Sequence, residues 1–136
     1  MRTILSLSHA DAMTILDAIR ARADQNNHSL AVAIVDAYGE LLAFLRTDGC
    51  RLPSVQIAQN KAYTAVREQI ESRELGARSK SAGFPMTNFG ELRYVTWGGG
   101  VPVFHEGVAV GAVGVSGLTE DDDVDYAKWG IAHLTH

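Results

Sequence analysis

Lys61 is the first residue of this chain whose surroundings suggest chemistry. It lies in the run NKAYTA at residues 60–65, among small apolar residues that predict a mostly buried helix. A lysine in such a place either extends its amine along the helix to solvent or is held there to bind a ligand or transfer a proton. Both interpretations stay open from the sequence.

Three other ionisable side chains could act together with Lys61 on an organic acid. Glu91 and Arg93 are two residues apart, and His105 lies at the end of a predicted hairpin beside Glu106, which can fix its tautomer or raise its pKa. One hypothesis therefore takes Lys61, His105 and Glu91 as catalytic residues that transfer protons. The competing interpretation of His105 is an exposed turn residue, since hairpin ends are usually solvated.

The remaining histidines and the single cysteine do not predict a metal site. His9 lies in the first capping turn, His28 follows the first helix, and His133 and His136 are close to the end of the sequence. No pair has HExxH spacing and no Cys/His cluster occurs, so no zinc site is expected. Cys50 is either an inert thiol or a reactive thiolate or axial metal ligand.

Glycines are concentrated in one segment, with eight of the thirteen between residues 90 and 117. The triple glycine at 98–100 is followed by Val-Pro-Val and not by Lys-Ser/Thr, so it is no phosphate-binding loop. It predicts either a bulged strand pressed against a neighbour or a backbone in contact with a flat ligand. Glycines at 111, 114 and 117 alternate between strand faces, which would let a helix or a second subunit approach the sheet closely.

The elements that position these residues follow from hydrophobic periodicity and capping signals. The run Ser8-His9-Ala10-Asp11 predicts a capping box at the start of the first helix, and Pro53 suits the first turn of another. The predicted order is a helix from 9 to about 24, strands at 30–35 and 40–45, a helix from 53 to about 69, a short helix from 72 to 76 or just beyond, a loop at 79–91, strands at 93–97, 101–104 and 108–116, and a helix from 119 to about 134.

This order, α-β-β-α-α-β-β-β-α, groups the strands in meanders instead of alternating them singly with helices. It predicts an α+β fold in which a single antiparallel sheet of about five strands carries packed helices, a layer architecture like that of profilin or PAS domains. We expect residues 1–136 to form a single domain, since this length suits one core and no linker or internal repeat is visible.

Composition excludes several classes of protein. Hydrophobic residues make up 46% and charged residues 21% of the 136 positions, which excludes extensive disorder. The net charge of −4 argues against nucleic acid as a partner, and no apolar run reaches the roughly 20 residues that span a membrane. With one cysteine and no signal-peptide pattern, a cytoplasmic protein is expected.

Five sequence blocks in order resemble the GlcG/HbpS family, the haem-degrading type of domain also found at the C-terminus of PduO proteins. The resemblance covers about residues 5 to 134, through the runs VAIVDAYG at 32–39, DG at 48–49, KAYTA at 61–65, GGGVPV at 98–103 and VGAVGVSG at 110–117. The residues that match the motif are Asp36, Gly39, Lys61, Gly98, Gly99, Gly100, Pro102, Gly111, Gly114 and Gly117.

The resemblance implies an α+β protein that is usually oligomeric, with its ligand near a subunit boundary, and that in some members binds haem. Two runs, FPMTNF at 84–89 and YVTW at 94–97, depart from common members and lie in the expected pocket wall. The residues expected to contact the ligand are Phe84, Met86, Phe89, Arg93, Trp97, Gly98, Gly99, Gly100 and Pro102.

Two functions of different class follow. The first is haem binding or haem degradation by a homo-oligomer, with aromatic side chains stacking on the porphyrin and His105, His28, Met86 or Cys50 as axial donors. The second is an enzyme or accessory protein of organic-acid catabolism that binds a small carboxylate instead of haem. A non-catalytic oligomeric subunit is the third interpretation.

Overall fold

A computed structural model describes residues 1–135 of the chain, and His136 lies outside the described residues. The elements are α1 (His9–Asn26), β1 (Ala31–Asp36), β2 (Leu41–Arg46), α2 (Pro53–Glu68), α3 (Ser72–Ala82), a 3-10 helix (Met86–Phe89), β3 (Gly100–His105), β4 (Val108–Ser116) and α4 (Glu120–Ile131).

The strands form one antiparallel sheet in the order β2-β1-β4-β3. The fold class is therefore α+β, as predicted, with four strands among the described residues instead of about five. Strand β1 pairs with both β2 and β4, and its residues 31–35 are all buried. This explains why the sequence of β1 contains almost nothing polar.

Helices cover both faces of the sheet, so that two apolar cores form. One core packs α1 and α4 against side chains such as Val32, Ile34 and Val113. The other packs α2 against the small residues on the opposite face, among them Ala33 and Ala112. The result is a three-layer arrangement in which β3 and β2 are the edge strands.

Local capping signals fix where two helices begin. The Ser8 side chain accepts from the Asp11 N–H at 3.1 Å, and the Asp11 carboxylate accepts from the Ser8 N–H at 2.9 Å, which completes the predicted capping box. Thr119 caps α4 through a single bond, in which its hydroxyl accepts from the Asp122 N–H at 3.2 Å. Helix α4 then ends at Ile131, a few residues before the predicted end.

The strand predicted at 93–97 is wrong. Its backbone is satisfied by side chains of the helices and not by a neighbouring strand: the Val95 N–H donates to Thr64 Oγ1 at 3.0 Å, and the Trp97 carbonyl accepts from Ser72 Oγ at 2.7 Å. The same Ser72 oxygen accepts from the Gly100 N–H at 2.9 Å, where β3 begins. This segment, although its residues are typical of strands, therefore packs on α2 and α3.

The predicted loop at 79–91 also differs from the structure. Helix α3 continues past Gly76 to Ala82, and a 3-10 helix follows at Met86–Phe89. Gly76 lies within α3, and a larger residue does not fit there because a Cβ would lie 2.6 Å from the Thr96 carbonyl oxygen. Its role is therefore close packing of α3 on the segment that leads into β3, and the helix ends at Ala82 with Gly83 as its C-cap.

Two strand glycines let α2 lie directly on the sheet. A Cβ at Gly114 would collide with the backbone of Ala58, and one at Gly100 would collide with the Lys61 carbonyl. Since no side chain larger than hydrogen fits at either place, these glycines set the distance between helix and sheet. This confirms the close approach of a helix that the spacing of the glycines predicted.

Candidate functional site

A cleft of about 390 Å³ opens at the end of the sheet where β4 ends and β3 begins. We call it the Lys61 cleft. Helix α2 forms one side and the start of α4 the other, so residues far apart in the sequence meet there. Its lining residues are Arg51, Pro53, Ser54, Ile57, Lys61, Trp97, Gly98, Ser116, Gly117, Leu118, Glu120 and Asp123.

A buried ion pair forms the base of the Lys61 cleft. The Lys61 ammonium donates to Asp123 Oδ2 at 3.1 Å and to the Val115 carbonyl at 2.9 Å, and both charged side chains are 4% exposed. The Leu118 N–H donates to Asp123 Oδ1 at 3.1 Å. Lys61 is therefore held in place and does not extend to solvent, which decides between the two interpretations of its position.

Burial also changes the acidity of this pair. Loss of solvation raises the pKa of the Asp123 carboxyl above its ordinary value of 3.8, and the neighbouring Lys61 ammonium partly offsets that effect. The two groups neutralise each other's charge at the base of the cleft, where an isolated charge would be costly.

The triple glycine allows this pair to form. Gly99 has a φ of +126°, and a Cβ there would lie 2.9 Å from Lys61 Nζ and 3.0 Å from the Asp123 Cβ. The Gly98 N–H donates to Glu120 Oε1 at 2.8 Å, which joins the segment before β3 to α4. The glycines thus contact neighbouring protein groups, as the first of their two interpretations predicted, while Gly98 also lines the cleft.

Two other polar groups of the Lys61 cleft have unused hydrogen-bonding capacity among residues 1–135. Ser116 lines the cleft, and its hydroxyl makes no hydrogen bond within these residues. Since no buried side-chain oxygen or nitrogen among them lacks a partner, this hydroxyl is open to the cleft. Arg51 lies at the rim and forms no salt bridge with any described carboxylate. Such groups can hydrogen-bond a ligand without losing a protein partner.

His105 lies away from the Lys61 cleft. Strand β3 begins near the cleft at Gly100 and ends at His105, five residues further along, a separation of about 17 Å at the usual strand rise. There His105 is half-buried and lines a cavity of about 120 Å³ with Leu5, Leu7 and Val110, among others.

Glu91 occupies a third place, beside Arg93 and Tyr63. Arg93 donates to both Glu91 oxygens, at 2.7 and 3.0 Å, and the Tyr63 hydroxyl donates at 3.2 Å. The Arg93 guanidinium therefore holds the pKa of Glu91 at about 2, well below its usual range. A carboxylate that stays ionised at neutral pH is a poor proton shuttle, and Lys61, Glu91 and His105 do not form one catalytic cluster.

The predicted ligand-contacting aromatic residues also divide between two places. Phe84 packs edge-on against Phe89, whose ring centre lies 4.7 Å from that of Tyr94, so these rings contact one another. Met86 begins the 3-10 helix beside them. Trp97 instead stands in the wall of the Lys61 cleft, with 61% of its surface exposed.

Pro102 lines a shallow groove on the outer edge of the sheet with Phe104 and Ile70. Pro102 lies on the same face of β3 as Gly100, the face that α2 covers, but it does not line the Lys61 cleft. Of the residues predicted to bind a ligand, the cleft therefore brings together Lys61, Trp97 and Gly98.

Sequence reasoning missed several residues of the cleft, above all Asp123. It belongs to the acidic run 120–123, which is typical of charges that stabilise a helix N-terminus. The available signal was its spacing along the helix. Asp123 shares a helix face with Tyr126, Ala127 and Gly130, which are buried. Arg51 and Ile57 carried no comparable signal.

The family model described as "Haem degrading protein HbpS-like" matches residues 7–132, so the chain belongs to this haem-related family. Protein GlcG of Escherichia coli K12 is 39% identical over 122 residues, which cover 85% of each protein. The corrinoid adenosyltransferase PduO of Salmonella typhimurium is 31% identical over 134 residues, or 97% of this chain, but the match spans 40% of PduO.

Solved structures support the same relationship. The crystal structure of a PduOC–haem complex superposes with a TM-score of 0.88 at 29% identity, and the match covers 96% of each chain. No helix among residues 1–135 is long and apolar enough to cross a membrane. Within the same residues, no group of three or more His, Cys, Asp or Glu side chains is placed to hold a metal ion.

Proposed function

We propose that this chain binds haem and that His105 donates to the haem iron. Membership of the haem-related family and the similarity to the PduOC–haem complex support haem as the ligand. The observation that carries the choice of residue is the surroundings of His105, because an imidazole beside apolar walls is what a haem site requires. Leu5, Leu7 and Val110 provide those walls, and Ser6 and Asp11 complete the lining of the cavity.

The other described histidines fit haem less well. His28 lines a polar cavity with Asp24, Asn27 and Asp48, and its Nδ1 lies 2.8 Å from the Tyr126 hydroxyl. His9 is exposed at the start of α1. His133 is exposed as well, with its Nδ1 2.7 Å from the Trp129 carbonyl oxygen. The ring of His133 packs against Trp129, whereas His105 lines a cavity together with three aliphatic side chains, which distinguishes it from the other described histidines.

The cavity beside His105 is too small to enclose a porphyrin, since sites for ligands of that size have about 300–1,000 Å³ and this one has about 120 Å³. The porphyrin would therefore extend over exposed apolar neighbours, such as Leu5 and Val108, which are 49% and 50% exposed. Val108 is the cross-strand partner of His105, so both lie on the same side of the sheet edge. Haem supplies the iron, and this chain supplies the imidazole donor and the apolar contact surface.

Replacing His105 by alanine is the direct test. In titrations of the purified protein with haemin, the parent should develop a shifted Soret band at one haem per chain, and His105→Ala should lose that band or bind at least tenfold more weakly. His9→Ala is the matched control, because that imidazole is exposed and should leave the titration unchanged. If His105→Ala folds normally and gives the parent's Soret band, the iron is ligated elsewhere.

The exposed apolar residues at both sheet edges predict self-association. Leu41 on β2 and Phe104 on β3 are each 49% exposed, and both strands are unpaired edges of the sheet. Covering them requires a partner, and a second copy of the chain would also shield a haem beside His105. Light scattering at micromolar concentration should give a multiple of the 14.7 kDa chain mass. A particle of the monomer mass would contradict this prediction.

A further inference from the structure

We infer that the Lys61 cleft is a second binding site, separate from the proposed haem site, for a small monocarboxylic acid that carries a hydroxyl or carbonyl oxygen. The hydrogen-bonding capacity left at the base of the cleft, the charges at its rim and the apolar wall between them all suit such a ligand. It does not depend on haem binding at His105.

The base of the cleft offers donors to a ligand oxygen. An ammonium has three N–H donors, and Lys61 uses two of them on Val115 and Asp123, which leaves one. The Ser116 hydroxyl, which makes no hydrogen bond within residues 1–135, opens onto the same cleft. Because both groups can donate a hydrogen bond into the cleft, they favour a neutral oxygen atom, hydroxyl or carbonyl, as their partner.

The rim of the cleft selects the charge of the ligand. Arg51 is exposed there and forms no salt bridge within residues 1–135, so its guanidinium is available to a carboxylate. Glu120 and Asp123 also line the cleft, and Asp123 is already balanced by Lys61. Arg51 and Glu120 are the remaining charges of the lining, so the guanidinium can bind one ligand carboxylate while the Glu120 carboxylate repels a second one.

The wall between base and rim is apolar. Ile57, Leu118 and the indole of Trp97 line it, and these side chains suit a short carbon chain that connects the two polar ends of the ligand. A volume of about 390 Å³ is within the usual range for small-molecule sites. A hydroxy or oxo monocarboxylic acid combines these three features.

Haem does not fit this cleft. Its lining residues include no histidine, cysteine, methionine or tyrosine, and the amine of Lys61 is engaged with Asp123 and Val115. The cleft also lies at the opposite end of β3 from His105. The two ligands would therefore bind independently unless assembly of the protein couples them.

Binding can be measured by the fluorescence of Trp97, since a ligand in the cleft changes the surroundings of its indole. In a Trp129→Phe background, which leaves Trp97 as the remaining tryptophan, L-lactate should change the fluorescence in a saturable way. Acetate, which lacks the hydroxyl, should bind at least fivefold more weakly, because Lys61 and Ser116 then lose their ligand partner. Malonate should bind more weakly than L-lactate because of its second charge.

Two variants then assign the contacts. Arg51→Gln should weaken L-lactate and acetate alike by about tenfold, whereas Arg78→Gln, at another exposed arginine on α3 that is paired with Glu74, should change neither. Ser116→Ala should weaken L-lactate severalfold and leave acetate unchanged, and Ser81→Ala is its exposed control.

The inference is overturned if L-lactate causes no saturable change, if malonate or acetate binds as tightly, or if neither Arg51→Gln nor Ser116→Ala alters binding. His105→Ala should not affect any of these titrations.

Discussion

Gly99→Val is expected to destabilise the fold by roughly 3 kcal/mol or more, which corresponds to a fall in Tm of about 10 °C for a domain of this size. Gly99 has a φ of +126°, and its Cβ would meet the Val115 carbonyl, Lys61 Nζ and the Asp123 Cβ. A β-branched side chain is strained at that φ, and here it would also separate the buried ion pair. Thermal and denaturant unfolding should both report the loss.

The variant Gly107→Val separates the effect of backbone strain at positive φ from the effect of steric collision. Gly107 also has a positive φ, +78°, but nothing lies within 4 Å of the position of its Cβ, so this variant adds backbone strain without collision. It should therefore cost about 1–2 kcal/mol, less than Gly99→Val. A Gly99→Val protein with the stability of the parent would show that the triple glycine is loosely packed, and the described Lys61 cleft would then be wrong.

Lys61→Met should destabilise the protein by about 3–5 kcal/mol, because it leaves the Asp123 carboxylate buried without its counter-ion. Met has a similar length and fits an apolar helix face, so loss of packing contributes little. The double variant Lys61→Met/Asp123→Asn should recover much of the stability, because the asparagine carbonyl can still accept from the Leu118 N–H and carries no charge. Chemical denaturation of the parent, Lys61→Met, Asp123→Asn and the double variant gives the coupling free energy.

The pH dependence of the same variant gives an independent check. Burial already raises the pKa of Asp123, and removal of the Lys61 ammonium should raise it further. A carboxyl with a folded-state pKa above its unfolded value favours folding below the folded pKa and loses that contribution as the pH rises. The stability difference between Lys61→Met and the parent should therefore shrink as the pH is lowered from neutral toward the unfolded pKa. A difference that stays constant would contradict a buried, unpaired carboxylate.

Local signals in the sequence determined most of the fold. The capping box at Ser8, Pro53 at the start of α2, and the apolar run of β1 each depend on residues within one or two turns or one strand, and the structure has them where they were predicted. The bounds of β4, 108–116, were predicted without error. The sequence blocks also identified the family, which the match over residues 7–132 confirms.

The segment 93–97 shows why one element could not be predicted. Its sequence, RYVTW, has the composition of a strand, but strand formation requires a neighbouring strand to satisfy the backbone. In the folded chain Thr64 and Ser72, on two helices, satisfy those groups instead. No pattern within the segment contains that information.

The site itself was decided by tertiary structure. The sequence pointed to Lys61 through its small apolar neighbours, and to Trp97 and Gly98, but its partner Asp123 lies 62 residues away in a run of acids that looks like ordinary helix capping. Grouping Lys61, Glu91 and His105 by chemical type could not show that they occupy three separate places. Local propensity and periodicity depend on neighbours along the chain, whereas a buried ion pair depends on which ends of the sheet and helices meet in space.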